Sequence, residues 1–336
     1  MQSVFVGISM KHSVNEITSS SFCRICLAAL FLHAGLFMLL PLLPVFMSWQ
    51  MGIAQSEMAL LYLTMLVGLL AVGPLHAWLA DAYKRKYVAV LATLGLIACL
   101  FAMPWIDNLG ILWVLGGFCG AFYGMSISAL ITISIDIVHS GQRTAANRAL
   151  AYTICAGIFI GVAVGGGAMH LFYDADDWLP YVALSCLMLS ALLAQSVYVA
   201  FRAPIGVPVF GLDRFFLPRT WLPTLFILFV GLIPGLYLPW AGSGQLLFPL
   251  LSILLLALLV RPVITIYVKL AEHYQRATSV SSCLLGVLTG ILFGACFSTL
   301  YVCLECTHAM AAMALAAALI CLPFAWRYYR GHKVRE

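Results

Sequence analysis

The chain contains ten apolar stretches, each about as long as a helix that crosses a bilayer. A spanning helix needs about 20 mostly apolar residues. The stretches lack the alternation of barrel strands and are too long to be such strands, which excludes a β-barrel. The sequence therefore predicts an all-α membrane protein with ten transmembrane helices. They lie near 22–47, 57–79, 87–106, 111–138, 145–170, 178–201, 214–240, 246–269, 278–303 and 308–328.

The composition agrees with a chain that lies in a bilayer. Hydrophobic residues make up 64% and charged residues 9% of the sequence, against about 45–50% and about 25% in a soluble domain. A globule of this composition would expose more apolar surface than water tolerates. Residues 1–21 are polar, and the apolar run after them is longer than a signal-peptide core of about 7–15 residues. We expect this run to be a retained first helix.

The segments between the stretches alternate in charge, and we call the two faces the basic side and the acidic side. All seventeen Lys and Arg are assigned to the basic side or to the helix ends there. Basic connections stay cytoplasmic. The sequence therefore predicts a multi-pass protein of the inner (plasma) membrane with both termini in the cytoplasm. The acidic side carries Glu57, Asp107, Asp174, Asp176, Asp177 and Glu305.

The connection 202–219 divides the predicted helices into two groups. It is the longest connection on the basic side and is rich in Pro and Gly. It separates a six-helix half, residues 22–201, from a four-helix half, residues 220–328. The basic tail 329–336 follows, and such clusters are attracted to anionic lipids.

A sequence repeat relates the two halves. "LADAYKR" and "LAEHYQR" lie 191 residues apart, each after the second helix of its half. The first helix then matches the seventh and the second matches the eighth. Parallel repeats about an axis along the membrane normal are typical of one large class of transporters. The matching pairs are Leu79 and Leu270, Ala80 and Ala271, Asp81 and Glu272, Tyr83 and Tyr274, and Arg85 and Arg276.

"AWLADAYKRK" resembles the signature that the major facilitator superfamily carries between its second and third helices. Leu79, Ala80, Asp81, Arg85 and Lys86 match that signature. The resemblance covers essentially the whole chain and implies a transporter fold. The family has twelve helices, so this chain would lack the eleventh and twelfth.

The resemblance also implies a charged gate on the cytoplasmic side. In the family, an Asp at the end of the fourth helix pairs with the loop Arg, which implies a pair between Asp136 and Arg85. Alternatively, Asp136 is only hydrated among the lipid headgroups. The gate residues would be Asp81, Arg85, Lys86, Asp136, Glu272 and Arg276.

The predicted fifth helix carries glycines on one face, at Gly157, Gly161 and Gly165. Small residues four apart let helices approach closely. The stretch resembles the signature of the family's drug/proton antiporters, with Val162 where proline is usual, which implies export. The alternative is an ordinary packing face.

The fourth helix departs from the family pattern. Gly116 and Cys119 occupy the places of an Arg and a Gln, and that Arg is tied to proton coupling in the family. His33 lies in the middle of the first predicted helix and is a possible proton carrier, since a buried ionisable residue in a membrane marks a functional hypothesis. The alternative is a His that hydrogen-bonds a neighbouring carbonyl.

A lining for a substrate cavity would come from aromatic, Met and Ser side chains. Such residues suit an adaptable pocket for lipophilic ligands, although each could instead pack between helices. Since no Arg or Lys is assigned to the middle of a helix, an anion clamped by Arg is not expected. The candidates are Phe37, Met38, Tyr123, Ser126, Ser128, Phe229 and Tyr237.

The favoured function is secondary transport, with export of a small lipophilic or weakly polar molecule by alternating access. The first alternative is a degenerate transporter fold that serves as a receptor or scaffold. The second is a lipid acyltransferase with His76 as base and Asp81 as its partner.

The expected partners are a small-molecule substrate and the bilayer, with no nucleic acid and no cofactor. No metal is expected, because the two C-x-x-C pairs, at Cys23 and Cys303, lack a second ligand pair. A second copy of the chain could complete the short second half.

Overall fold

The computed structural model describes residues 16–43, 47–48, 52–172, 175–198, 209–211, 216–243, 245–272, 276–301 and 303–332. Within these residues, ten helices are long and apolar enough to cross a membrane, and no strand occurs. The predicted all-α fold with ten transmembrane helices is therefore confirmed. The helices are α1 (Ser20–Leu39), α2 (Ala59–Ala82), α3 (Arg85–Ala102), α4 (Leu109–Ile137), α5 (Arg143–Leu171), α6 (Ala175–Ser196), α7 (Trp221–Tyr237), α8 (Leu247–Leu270), α9 (Arg276–Leu300) and α10 (Leu304–His332).

The ends of the helices follow local signals that hydropathy does not show. The Ser19 hydroxyl caps α1 by accepting a hydrogen bond from the amide of Phe22, 3.3 Å away. Helix α1 ends at Leu39, not near residue 47, because Pro41 supplies no amide donor to continue the helical hydrogen bonds. At the other end of the chain, α10 continues to His332, so the part of the predicted separate tail that the structure describes, 329–332, is the last turn of α10.

The first half is a bundle in which α1 lies between α5 and α6, and α4 packs against both α2 and α3. Close contact between α1 and α5 depends on the glycines of α5. A Cβ at Gly161 would lie 2.6 Å from the carbonyl oxygen of Ala34, which is closer than real Cβ atoms approach. The predicted packing role of this glycine face is therefore confirmed.

The second half repeats this arrangement with fewer helices. Helix α7 packs against α9 and α10 as α1 packs against α5 and α6. The glycines of α9 lie against α7, and they follow those of α5 by 129 residues each. Helices α9 and α10 are thus the counterparts of α5 and α6. The matching glycines are Gly157 and Gly286, Gly161 and Gly290, and Gly165 and Gly294.

This correspondence identifies the helices that the second half lacks. The expectation that the eleventh and twelfth family helices are missing is wrong, because α9 and α10 pack in the places of those two. The missing pair is the counterpart of α3 and α4. Counting helices from the amino end cannot detect a gap inside a half. That a second copy completes this half stays a prediction.

The two halves meet along two related contacts, between α5 and α8 and between α9 and α2. Since α2 corresponds to α8 and α5 corresponds to α9, one internal symmetry generates both contacts. On the acidic side the halves are in tight contact, where Gly166 of α5 lies against Ala241 and Leu246. The space between the halves therefore lies nearer the basic side.

Candidate functional site

An apolar cavity lies between the two halves, in the part of the fold nearer the basic side. Its empty space, including the part that opens to solvent, is about 560 Å³. Residues of α4 and α5 from the first half and of α7, α8 and α9 from the second half line it, among them Ile131, Leu150, Val260 and Val287. All of its lining side chains are aliphatic apart from the thiols of Cys155 and Cys283. Such a lining favours lipophilic groups.

A second cavity of about 380 Å³ adjoins the first and has a polar edge. Ile131 and Leu284 line both cavities. The polar groups are His76 of α2, Ser128 of α4 and Ser281 of α9, so both halves contribute. The His76 Nε2 atom is buried and has no hydrogen-bond partner among the described residues. The combined lining suits a mainly apolar solute that forms one or two hydrogen bonds.

A buried polar pair, His33 and Tyr123, lies between α1 and α4. His33 Nδ1 donates a hydrogen bond to the carbonyl of Ala29 at 2.6 Å, and its ring centroid lies 5.6 Å from that of Tyr123. In the described part of the chain, the remaining His33 nitrogen and the Tyr123 hydroxyl are buried without partners. The alternative in which His33 bonds a carbonyl is thus confirmed for one nitrogen, and its role in proton transfer stays a prediction.

The two predicted serines of α4 face different ways. Ser128 lines the second cavity, as predicted. Ser126 instead faces α3, where it accepts a hydrogen bond from Thr93 at 3.2 Å and donates one to the carbonyl of Phe122. Its predicted place in the cavity is wrong. The two serines are two positions apart on a helix, so their side chains point about 200° apart around its axis. Ser126 therefore meets α3, and Ser128 meets the second cavity.

The other predicted lining residues lie outside both cavities. Phe37 and Met38 are buried against Gly161 and Gly165 of α5, and Phe229 is partly buried against the core. These three pack between helices, which was the alternative interpretation.

Tyr237 belongs to an aromatic cluster on the acidic side of the second half. Its hydroxyl and His308 Nδ1 share a hydrogen bond of 2.8 Å, and its ring stacks on Phe248 with the centroids 5.2 Å apart. The residue is therefore placed to stabilise the acidic end of the second half, not to contact a solute in the cavities.

The predicted pair of Arg85 and Asp136 is present, and it joins the start of α3 to the end of α4. Glu272 pairs with Arg219 at 3.3 Å on the exposed surface. Among the described residues, each of these ion pairs stays within one half. Lys86 is partly exposed. The side chains of Asp81 and Arg276 lie outside the described residues. The gate that these six residues would form stays a prediction.

The family of the chain follows from a model of the Major Facilitator Superfamily that matches residues 25–329. The chain belongs to this superfamily. The predicted family is therefore confirmed, and the chain is related to transporters rather than enzymes. The acyltransferase alternative with His76 and Asp81 gains no support. Among curated proteins, none matches the chain.

Solved structures of three transporters share the superfamily fold. The nucleoside transporter NupG is 10% identical, with a TM-score of 0.56 over 94% of this chain and 100% of that chain. The human organic anion transporter MFSD10 is 13% identical, with a TM-score of 0.53 over 92% and 98%. An outward-facing bacterial homologue of the iron transporter ferroportin is 15% identical, with a TM-score of 0.56 over 92% and 99%. These identities show the fold alone.

Arg261 of this superfamily member lies in the middle of a helix, where the sequence predicts no Arg or Lys. Helix α8 runs from Leu247 to Leu270, so Arg261 lies near its middle and not at a helix end on the basic side. Its side chain is exposed on the outer face of the helix. The expectation that no Arg or Lys lies in the middle of a helix is therefore wrong. The position of Arg261 within its apolar run was the signal.

Proposed function

We propose that this superfamily member is a secondary transporter that moves a small lipophilic or weakly polar molecule by alternating access. The observation that carries this proposal is the apolar cavity between the halves, with a small polar edge from α2, α4 and α9. Rocking of one half against the other would expose such a site to each side of the membrane in turn.

Export is the direction that we propose. Support comes from the glycine face of α5 and its resemblance to the antiporter signature, and from the position of both cavities near the basic side, which is predicted to be cytoplasmic. We place the protein in the inner (plasma) membrane with both termini in the cytoplasm. His33 is the proposed proton carrier, and the charged residues of the basic side form the proposed gate.

A scaffold without transport is the second candidate, and one observation favours it. At the place of the family's coupling Arg, Gly116 packs against Thr64 and Leu61 of α2. An Arg side chain would not fit in this contact. The coupling group of the family is therefore replaced by helix packing.

Ligand binding by the purified protein separates these candidates. We would measure thermal stability with dyes, lipophilic amines, nucleosides and sugars, for the wild type, Ile131→Trp and Ile111→Trp. Ile131 lines both cavities, whereas Ile111 is exposed at the other end of the same helix. A ligand at about 100 times its dissociation constant adds about 2.7 kcal/mol.

A lipophilic ligand should stabilise the wild type and Ile111→Trp, but not Ile131→Trp, because the indole fills the cavity. If every variant responds equally, the ligand binds elsewhere and the cavity is not the transport site. If a cooperatively melting wild type responds to no compound, the scaffold becomes the better explanation.

A further inference from the structure

A polar stripe runs along the outer face of α8, and it consists of Arg261, Thr265 and Lys269. These residues are four apart and so lie one above the other on the helix. Arg261 and Lys269 are exposed, and Thr265 is partly exposed. Toward the acidic side, the same face continues with Leu258 and Leu254, which are 69% and 50% exposed. The outer face of α8 thus changes from polar to apolar near the middle of the helix.

With Leu270 placed at the edge of the hydrocarbon layer, Arg261 would lie deep within that layer. At a rise of about 1.5 Å per residue it is about 13 Å from Leu270 and about 21 Å from Leu247, and the hydrocarbon layer is about 30 Å thick. Its Cβ tilts toward the start of the helix, which is the acidic side. The Cα–Cβ bond therefore points away from the nearer headgroups, and the guanidinium would reach them by turning back along the helix past Thr265.

A cation at this depth is costly without a partner. Among the described residues, the Arg261 guanidinium forms no hydrogen bond or ion pair with another side chain. The described part of a second copy offers no acidic residue at this depth. Every Asp and Glu that the structure describes lies at a helix end or in a connection, with Asp136 one residue from the end of α4. The partner must come from outside the protein.

We propose that the stripe of α8 binds an anionic membrane lipid from the leaflet on the basic side. The guanidinium fork of Arg261 holds the phosphate of the headgroup, since Arg can donate two parallel hydrogen bonds to a phosphate. Lys269 and Thr265 line the path from the membrane surface to Arg261, and the acyl chains lie along Leu258 and Leu254. This site goes beyond the proposed transport function and does not depend on it.

Lipid binding to the full chain tests the proposal directly. We would titrate the purified protein in neutral detergent with phosphatidylglycerol, phosphatidylcholine or inorganic phosphate and count bound lipids by native mass spectrometry. The variants are Arg261→Gln, Arg261→Lys and the control Arg327→Gln, which removes an exposed Arg near the basic end of α10. Lys269→Gln tests the path to the site.

Phosphatidylglycerol should bind about fivefold more weakly to Arg261→Gln, which is the loss of one basic contact to an anionic lipid. Arg261→Lys and Lys269→Gln should weaken binding less, and Arg327→Gln should not change it. In nanodiscs of phosphatidylcholine alone, Arg261→Gln should melt at or above the wild-type temperature, which shows that the variant folds.

Equal binding of phosphatidylglycerol to Arg261→Gln and to the wild type would overturn the proposal. Equal binding of phosphatidylcholine would also overturn it, since this lipid carries the same phosphate without a net charge and the stripe would then not select anionic lipids. If inorganic phosphate displaces the lipid at similar concentrations, the stripe binds free anions and the assignment to a lipid is wrong.

Discussion

Arg85 at the start of α3 forms a salt bridge with Asp136 at the end of α4, with 23% and 12% of the two side chains exposed. The bridge ties the loop after α2 to a helix that packs on α2. The second half lacks a counterpart of α4, and there Glu272 pairs with Arg219 on an exposed surface instead. The two charge pairs should therefore differ in what they contribute.

Neutralising Asp136 should destabilise the protein more than neutralising Glu272. Asp136→Asn leaves a half-buried guanidinium without its charged partner, and we expect a loss of about 1–3 kcal/mol in the free energy of unfolding. Glu272→Gln should cost about 0–1 kcal/mol, because exposed ion pairs contribute little. Chemical denaturation in one detergent measures both, and a double-mutant cycle with Arg85→Gln isolates the pair. A cycle without coupling between Arg85 and Asp136 would show that Asp136 is merely hydrated.

Alanine at the glycines of the packed helix faces should disrupt the contacts between helices. Gly161→Ala places a methyl group 2.6 Å from the Ala34 carbonyl oxygen, so the helices must separate, at a cost of about 1–3 kcal/mol. Gly290→Ala should behave in the same way in the second half. The control is Gly167→Ala in α5, where the nearest atom is 3.8 Å away.

Gly167→Ala should keep or raise the free energy of unfolding, by up to about 1 kcal/mol, because Ala has the higher helix propensity. If Gly161→Ala and Gly167→Ala melt alike, α5 does not pack on α1 through its glycine face. If Gly290→Ala is harmless while Gly161→Ala is not, the correspondence of α9 with α5 fails.

Removing the Tyr123 hydroxyl should leave the fold intact. This hydroxyl is buried without a hydrogen-bond partner among the described residues, so Tyr123→Phe should keep or raise the free energy of unfolding. Destabilisation by Tyr123→Phe of about 1 kcal/mol or more would show that the hydroxyl has a structural partner.

If the proton is carried by His33, ligand binding should differ between about pH 6 and about pH 8 in the wild type, and His33→Asn should abolish that difference.

Thiol labelling tests the predicted orientation of the chain. Cys303 is exposed on the acidic side and Cys23 on the basic side. The pKa of the Cys303 thiol lies below its ordinary value, mainly because the Cys306 backbone donates a hydrogen bond to it. More of this thiol is therefore ionised at neutral pH, and the thiolate is the reactive form.

A membrane-impermeant maleimide added to intact cells should label Cys303 and should label Cys23 only after the membrane is permeabilised. Mass spectrometry of the peptides distinguishes the two sites. Labelling of Cys23 in intact cells with Cys303 protected would reverse the assigned topology.

The features that the sequence predicts well are local ones. Ten apolar runs specify ten helices because each run must satisfy its own backbone in the bilayer. The pair of Arg85 and Asp136 was implied by the resemblance to the family, and it is present because both residues lie at helix ends on the same side.

The features that the sequence analysis missed depend on packing or on depth in the membrane. Which helices are absent is decided by the contacts of α9, although the spacing of Gly286, Gly290 and Gly294 was visible in the sequence. Ser126 and Ser128 are equivalent in composition, and only the positions of α3 and α9 separate them. The depth of Arg261 follows from its distance to both ends of α8, which the alternation of charge between connections does not give.

The most direct test of solute transport by this protein is counterflow in liposomes. A ligand found by thermal stabilisation is loaded inside, and uptake of a trace of labelled ligand is followed for the wild type, Ile131→Trp and Ile111→Trp. The wild type and Ile111→Trp should accumulate label transiently above equilibrium, and Ile131→Trp should not. Binding of the ligand without counterflow by the wild type would contradict alternating access and leave a binding protein with a transporter fold.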